Sequence, residues 1–152
     1  DRFERVWGDA LAVGNAKRSP DLGPLSIFGD AHLAIGETED VTEAREGSRG
    51  HIAFYVGGMG AKSKNYYNDL FRRYGWEEEA EKIQDLFLGG QRAEATAAVP
   101  DEYIDAANLI GPESHIKKRL AVYKDVGVTH LTLSAQGANS LDDLAAVKSW
   151  IE

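Results

Sequence analysis

Hydrophobic residues recur at helical spacing at the start of the 152-residue chain and at strand spacing soon afterwards. The first pattern predicts an amphipathic helix over residues 2–17, which ends before Ser19 and Pro20. The second predicts a strand from Leu25 to Ile35, in which Gly29 is a candidate bulge. The side chains of this strand divide between one face with Leu25, Ile27, Ala31, Leu33 and Ile35 and another with Ser26, Phe28, Asp30, His32 and Ala34.

The middle of the chain is predicted to be helical. Asp40, with Glu43 three residues later, resembles a capping box and predicts a helix to about Tyr55. A second, aromatic-rich helix is expected to begin at about Asn65 and to end at Gly75. Its apolar face carries Tyr66, Tyr67, Leu70, Phe71 and Tyr74, and the helices after it are predicted to end at about residues 88, 99 and 109.

The last part of the chain contains the second predicted strand, from Val128 to Ser134. A helix that begins at Pro112 is expected to precede it, because proline suits the first helical position. Ser140 and Asp143 resemble a capping box for the final helix. Leu131 and Leu133 share one face of the strand, whereas Val128, His130, Thr132 and Ser134 share the other.

Two strands among so many helices are too little sheet for an independent α/β domain, because parallel strands need neighbours and cover on both faces. The order helix, strand, helices, strand, helix matches the closing part of a (β/α)8 TIM barrel, which typically takes about 250 residues. We therefore expect an α/β fold in which residues 1–152 form the C-terminal portion of one barrel domain. A helical insertion, about residues 62–110, would separate the last two βα units. A small, mostly helical domain that folds alone is the alternative.

Composition narrows the classes of partner. A net charge of −8 and an isoelectric point near 5.0 argue against a nucleic-acid or anionic-membrane surface, because both require a basic face. The absence of cysteine excludes disulfides and thiolate metal sites, and no histidine spacing suits a metal. No apolar run approaches the roughly 18 residues of a membrane span. A cytoplasmic protein is the prediction that these features leave.

A glycine-rich stretch is the first candidate site. Gly57, Gly58 and Gly60 leave backbone N–H groups free to approach a ligand, and a helix N-terminus that favours anions follows them. Lys62 and Lys64 add two positive charges within a few residues. These features make the stretch a candidate anion-binding turn. The competing interpretation is that Gly57 and Gly58 only end one helix before the next begins.

The inward face of the predicted strands is the second candidate site, because the chemistry of a (β/α)8 barrel gathers at the carboxyl ends of its strands. Ser134 lies late enough in its strand to contact a ligand, whereas His32 is either a ligand contact or one member of a satisfied polar pair with Asp30 inside the barrel. For Asp30 and Thr132 we favour a structural role inside the barrel.

Several segments resemble one known family. They are YVGGMGAKSKNYYNDLFRRYG from Tyr55, IQDLFLGG from Ile83, AAVPDEYID from Ala97, LIGPE from Leu109 and GVTHLTL from Gly127. In this order they are similar to the C-terminal part of the luciferase-like monooxygenase superfamily, and most of all to its oxidoreductases that use the deazaflavin coenzyme F420. The resemblance lacks the N-terminal part of the family's barrel.

The resemblance implies a function. Enzymes of this kind bind a deazaflavin or flavin at the barrel mouth and move a hydride between it and an organic substrate. Coenzyme F420 is therefore the expected cofactor, with FMN in a monooxygenase as the alternative and a non-catalytic partner subunit as another. Catalytic residues belong mainly to the family's N-terminal part and stay unknown here. The expected cofactor-binding residues are Gly57, Gly58, Met59, Gly60, Lys62, Lys64, Ser134 and His32.

The resemblance also implies a partner. The 152-residue chain is expected to need the missing N-terminal part of the barrel, or to form a homo-oligomer. Its predicted strands leave exposed edges that invite association. By itself this fragment is expected to show no turnover and to be at best partly folded or oligomeric.

Overall fold

The computed structural model describes residues 2–151, which form a small parallel sheet, helices that pack on it and a separate helical block. In chain order the elements are α1 (Phe3–Asn15), β1 (Phe28–Ile35), α2 (Thr42–Gly58), α3 (Tyr66–Arg73), α4 (Glu77–Leu88), α5 (Arg92–Ala97), α6 (Asp101–Ala107), β2 (Leu109–Gly111), α7 (Glu113–Asp125), β3 (His130–Ala135) and α8 (Ser140–Ile151).

The sheet has β1 at its centre, with β2 and β3 parallel to it on either side. β3 pairs with most of β1, from Phe28 opposite His130 to Leu33 opposite Ala135. β2 pairs only with the carboxyl end of β1, from Leu33 to Ile35. The adjacent parallel strands β1 and β3 are consistent with part of a barrel. The order β2-β1-β3 is not the sequential strand order of a closed barrel.

One face of the sheet is packed under α7 and α8. Leu33 of β1, Leu109 of β2, Ile116 of α7 and Val147 of α8 are buried together there. Leu131 and Leu133 of β3 pack against the same cluster, as the alternating pattern predicts. The residues that alternate with these along each strand therefore point to the other face of the sheet.

The helical block has its own core. Ala53 and Val56 from the second half of α2 are buried against Phe71, Ala80 and Ile83 of α3 and α4. This cluster is completed by Val99, which lies just before α6, and by Ile104, which lies within it. Because α2 contacts both this core and the strand β1, it joins the helical block to the sheet. Helices therefore fill the region predicted as an insertion, although its status as an insertion stays a prediction.

The prediction of two strands is wrong, because β2 is a third. The sequence predicts a helix that ends at Leu109, the first residue of β2, but α6 ends at Ala107 and Asn108 is already extended. Three consecutive buried residues cannot show a period of two, and so β2 carries no alternation signal. Its partner, the carboxyl end of β1, supplies the hydrogen bonds that define it.

Both predicted capping boxes also fail. α2 begins at Thr42, its N-cap is Val41, and no side chain caps it. Asp143 of α8 uses its carboxylate differently: the backbone N–H of Ile35 donates to its Oδ2 at 3.0 Å. This bond crosses from the first turn of α8 to the end of β1. By contrast, α3 begins where it was expected to begin, and Asn65 caps it by accepting from the backbone N–H groups of Tyr67 and Asn68.

The glycines of α2 provide a stability prediction. A Cβ at Gly57 would lie 2.5 Å from Cβ of Phe87, whereas a Cβ at Gly47 on the same helix would meet nothing within 4 Å. We expect Gly57→Ala to destabilise the full-length protein by about 1–3 kcal/mol through overpacking. Gly47→Ala should stabilise it by about 0.5–1 kcal/mol, because alanine favours the helix. Urea denaturation of both variants measures the difference, and equal effects would contradict close packing at Gly57.

Candidate functional site

The second face of the sheet is open along its amino-terminal part. Phe28 is 68% exposed and stacks on His130, with 4.4 Å between the ring centroids. Asp30, Thr132 and Ser134 are exposed beside them. The register places Asp30 opposite Thr132 and His32 opposite Ser134. The two strands therefore present a polar surface, here called the open sheet face, made of Phe28, Asp30, His32, His130, Thr132 and Ser134.

The carboxyl end of the same face is covered by α2. Ala34 and Ile110 are buried there against Val41, and Ala44 packs on the same cluster. His32 lies at the boundary between this covered end and the open sheet face. The structure thus brings His32 and Ser134 together, as their predicted positions on one face require. Contact of either residue with a cofactor stays a prediction.

His32 has polar neighbours from three segments. Its Nδ1 lies 3.1 Å from the amide nitrogen of Gln136, which follows β3. The His51 ring of α2 stands edge-on to it, with 5.6 Å between centroids. Burial lowers the pKa of His32, and the charge of His51 lowers it further, while Asp30 acts in the opposite direction. The structure therefore favours the neutral imidazole.

Aromatic rings continue from His32 along α2 to α3. His51 contacts Tyr55 at 4.5 Å, Tyr55 contacts Tyr67 at 4.6 Å, and Tyr67 contacts Tyr66 at 5.5 Å between ring centroids. Tyr66 is 58% exposed and Tyr67 39% exposed. Their prediction as members of an apolar helix face is wrong, because Asn65 and Asn68 occupy the buried positions instead. We call this line from His32 to Tyr66 the aromatic ridge.

The glycine stretch is organised differently from the prediction. α2 continues through Gly57 and Gly58, so their N–H groups belong to the helical hydrogen-bond ladder. Both lie against the ring of Phe87. Gly60 has a φ of +137°, and its N–H donates to the Gly58 carbonyl at 3.0 Å. These glycines allow close packing and a tight turn, and the expected uncovered amides are absent at all three.

Side chains complete this turn. The Asn65 amide donates to the carbonyls of Tyr55 and Val56, which are among the last acceptors of α2. Lys62 forms an ion pair with Asp85 of α4. Lys64 is exposed, and its ammonium has no partner among residues 2–151. Of the two predicted cationic contacts, Lys64 is thus the one whose charge is not already paired.

A cleft of about 610 Å³, which is not among the sites predicted from the sequence, lies between α2, α6 and the start of α7. Arg45 binds Asp105 at 2.6 Å, and Arg49 binds Asp101, Glu46 and the Val99 carbonyl. The arginines of α2 are spaced four residues apart, as are Asp101 and Asp105 on α6. This matched spacing places each pair on one helix face and could have predicted the contact. Because both arginines are paired, the cleft has no free positive charge for an anion.

His115 adds one unusual feature to the cleft. It lies in the first turn of α7 against Gly111, and its Nε2 is buried with no hydrogen-bond partner in the described chain. Across residues 2–151, histidine and carboxylate side chains do not form a group that could hold a metal ion. Nor does any helix in this range combine the length and apolar character needed to cross a membrane.

Comparison with known proteins identifies the family. The profile of the luciferase-like monooxygenase family matches residues 2–130, which is most of the chain. The chain belongs to this family. A Mycobacterium tuberculosis protein, provisionally named a coenzyme F420-dependent oxidoreductase, is 36% identical over 142 residues. That match covers 93% of the chain but 40% of the relative, so the chain spans well under half of its length. No solved structure matches significantly.

The ion pairs of the cleft generate a pH prediction. A hydrogen bond from Arg49, together with its charge, holds the pKa of Asp101 below its usual value. The carboxylate therefore contributes stability above the ordinary aspartate pKa of 3.8, and this contribution is lost as the pH falls through the lowered value. Because Asp101 is largely exposed, we expect Asp101→Asn to lower the free energy of unfolding by at most about 1 kcal/mol at pH 7.

Denaturation of the Asp101→Asn variant from pH 7 to pH 2 would measure this contribution in the full-length protein. The difference from the unmodified protein should shrink towards acid pH. Glu102→Gln, at the exposed neighbouring position, is the matched control and should change little. A difference that persists undiminished at the acid limit would contradict the ion-pair explanation.

Proposed function

We propose that the full-length protein is a coenzyme F420-dependent oxidoreductase of the luciferase-like class, which transfers a hydride between the deazaflavin and an organic substrate. The observation that carries this proposal is the 36% identity with the relative provisionally named for that activity. Family membership alone supports the broader class. We also propose a small-molecule substrate and a cytoplasmic location, in keeping with the matched enzyme family.

The chain's own residues would contribute binding and orientation. When bound, the deazaflavin supplies the hydride chemistry, which no side chain of the protein can perform. His32 and Ser134 adjoin each other on the open sheet face, where an imidazole and a hydroxyl can bind polar groups. Tyr66 and Tyr67 expose rings that suit a flat partner. These features fit a cofactor with a planar ring and polar edges.

The anionic part of the cofactor has fewer candidate contacts than the sequence predicts. Gly57, Gly58 and Gly60 use their amides within the protein, and Lys62 is paired with Asp85. Lys64 is the remaining cation of this turn. We retain the set Gly57, Gly58, Met59, Gly60, Lys62 and Lys64 as a proposed contact surface in which Lys64 carries the charge interaction.

The open sheet face is the main support for a larger assembly. A parallel sheet is normally covered on both faces, but Phe28 and its polar neighbours are exposed, and the outer edge of β3 has no strand partner among residues 2–151. We propose that the rest of a (β/α)8 barrel covers this face in the full-length protein. A homo-oligomer is the alternative source of cover.

Two other functions follow from the same family. An FMN-dependent monooxygenase is favoured by the description of the matching family as luciferase-like monooxygenases. A non-catalytic partner subunit would keep the barrel without a working cofactor site. Preferential binding of FMN over F420 would distinguish the monooxygenase from our proposal. Failure to bind either cofactor would indicate the non-catalytic partner subunit.

Cofactor titration tests the proposal directly. We expect the full-length protein to bind coenzyme F420 more tightly than FMN, observed by absorbance and fluorescence of the ring. Residues 1–152 alone should bind neither tightly, because much of the pocket would lie outside them. Preference for FMN would favour the monooxygenase. A folded full-length protein that binds neither cofactor would contradict both enzyme functions.

The two lysines of the turn provide a second test. Lys64→Gln should weaken F420 binding by about tenfold, the effect of losing one charge-assisted hydrogen bond of roughly 1.5 kcal/mol. Lys62→Gln is the matched control and should have a smaller effect, because Asp85 already neutralises that ammonium. The binding constants of both variants decide the matter. Unchanged binding in the double variant would exclude this turn as the anion contact.

A further inference from the structure

The strongest unassigned feature is the environment of His32, where two residues outside the predicted site act on one imidazole. Gln136 belongs to the segment after β3, and its backbone N–H donates to the Leu33 carbonyl at 2.8 Å. This bond continues the parallel ladder by one residue beyond Ala135. It fixes Gln136 beside β1, so that its side-chain amide reaches Nδ1 of His32 at 3.1 Å.

The Gln136 contact selects one tautomer of His32. The amide nitrogen can only donate, and Nδ1 must therefore accept. In a neutral imidazole the proton then resides on Nε2. Nε2 makes no hydrogen bond to residues 2–151, so its N–H is left to donate to a group outside them on the open sheet face.

His51 acts on the charge of the same ring. It projects from α2, and its ring lies edge-on to His32 at 5.6 Å between centroids. A proton on His51 therefore opposes a second proton on His32. The other groups facing His32 are Asp30 on its own strand, which favours protonation, and the neutral Ser134 and Gln136. Burial of the ring acts in the same direction as His51.

We propose that Gln136 and His51 are positioning residues that hold His32 neutral, with its proton on Nε2, as a hydrogen-bond donor on the open sheet face. The group that it would recognise is an acceptor oxygen of the cofactor that we propose for this face, such as a ring carbonyl. This assignment of the donor's role rests on the proposed oxidoreductase function. The tautomer and the coupling to His51 rest only on the geometry.

The experiment is nitrogen NMR of the full-length protein labelled with 15N-histidine. The His32 signals are assigned by their loss in His32→Asn. In the unmodified protein we expect a protonated Nε2 and an unprotonated Nδ1 at neutral pH. Gln136→Glu should move the proton to Nδ1 and raise the pKa of His32, because a carboxylate accepts where the amide donates. Gln136→Leu should give a mixture of tautomers.

The coupling is tested with His51→Phe, which keeps an aromatic ring against His32 but removes its charge. This variant should raise the pKa of His32 without changing its tautomer. His130→Asn is the matched control, because His130 pairs with Phe28 at the far end of the two strands. It should leave the His32 titration unchanged.

Three results would overturn the inference: a proton on Nδ1 in the unmodified protein, an unchanged tautomer in Gln136→Glu, or an unchanged His32 titration in His51→Phe. The unmodified protein alone decides the first, so the test survives a variant that fails to fold. None of the measurements requires a bound cofactor. Failure of F420 binding would therefore overturn the proposed function and leave the tautomer result standing, and the reverse also holds.

Discussion

The parallel pairing of β1 with β3 is the constraint on which the rest of the structure depends. Its register divides the side chains into a set that packs under α7 and α8, which includes Leu33 and Leu131, and a set on the opposite face, which includes His32 and Ser134. A slip of one residue would exchange the two sets. The hydrophobic cover from α7 and α8 therefore protects the register, and the register in turn holds the polar face together.

The sequence predicts this division well, because alternation over several residues is a strong signal in β1 and β3. Helices with apolar stripes, such as α4 with Ala80 and Ile83, are equally accessible to such reasoning. β2 is not, since its three residues are buried throughout and owe their conformation to distant partners. The failed caps show the same limit: whether Asp143 caps its own helix or binds Ile35 depends on what lies nearby.

The candidate site, like the fold, could be predicted only in part from the sequence. Periodicity placed His32 and Ser134 on one face, but could not show that His51 and Gln136 approach His32 from other segments. For the glycine stretch, a local pattern had two explanations, and long-range packing decides between them. Phe87 lies where side chains of Gly57 and Gly58 would project, so the absence of a Cβ is explained by helix packing. The ion pairs of the arginine cleft could have been predicted, because the arginines on α2 and the aspartates on α6 are both spaced four residues apart.

α2 connects two separate hydrophobic cores, so their movements are coupled. It is 17 residues long, which corresponds to about 25 Å, and its two ends belong to different cores. Its first turn rests on the sheet, its middle carries His51, and its last turn is locked against Phe87. Because both ends are packed, α2 cannot tilt on the sheet unless the helical block moves with it. Any such tilt would change the spacing between His51 and His32 in the same movement.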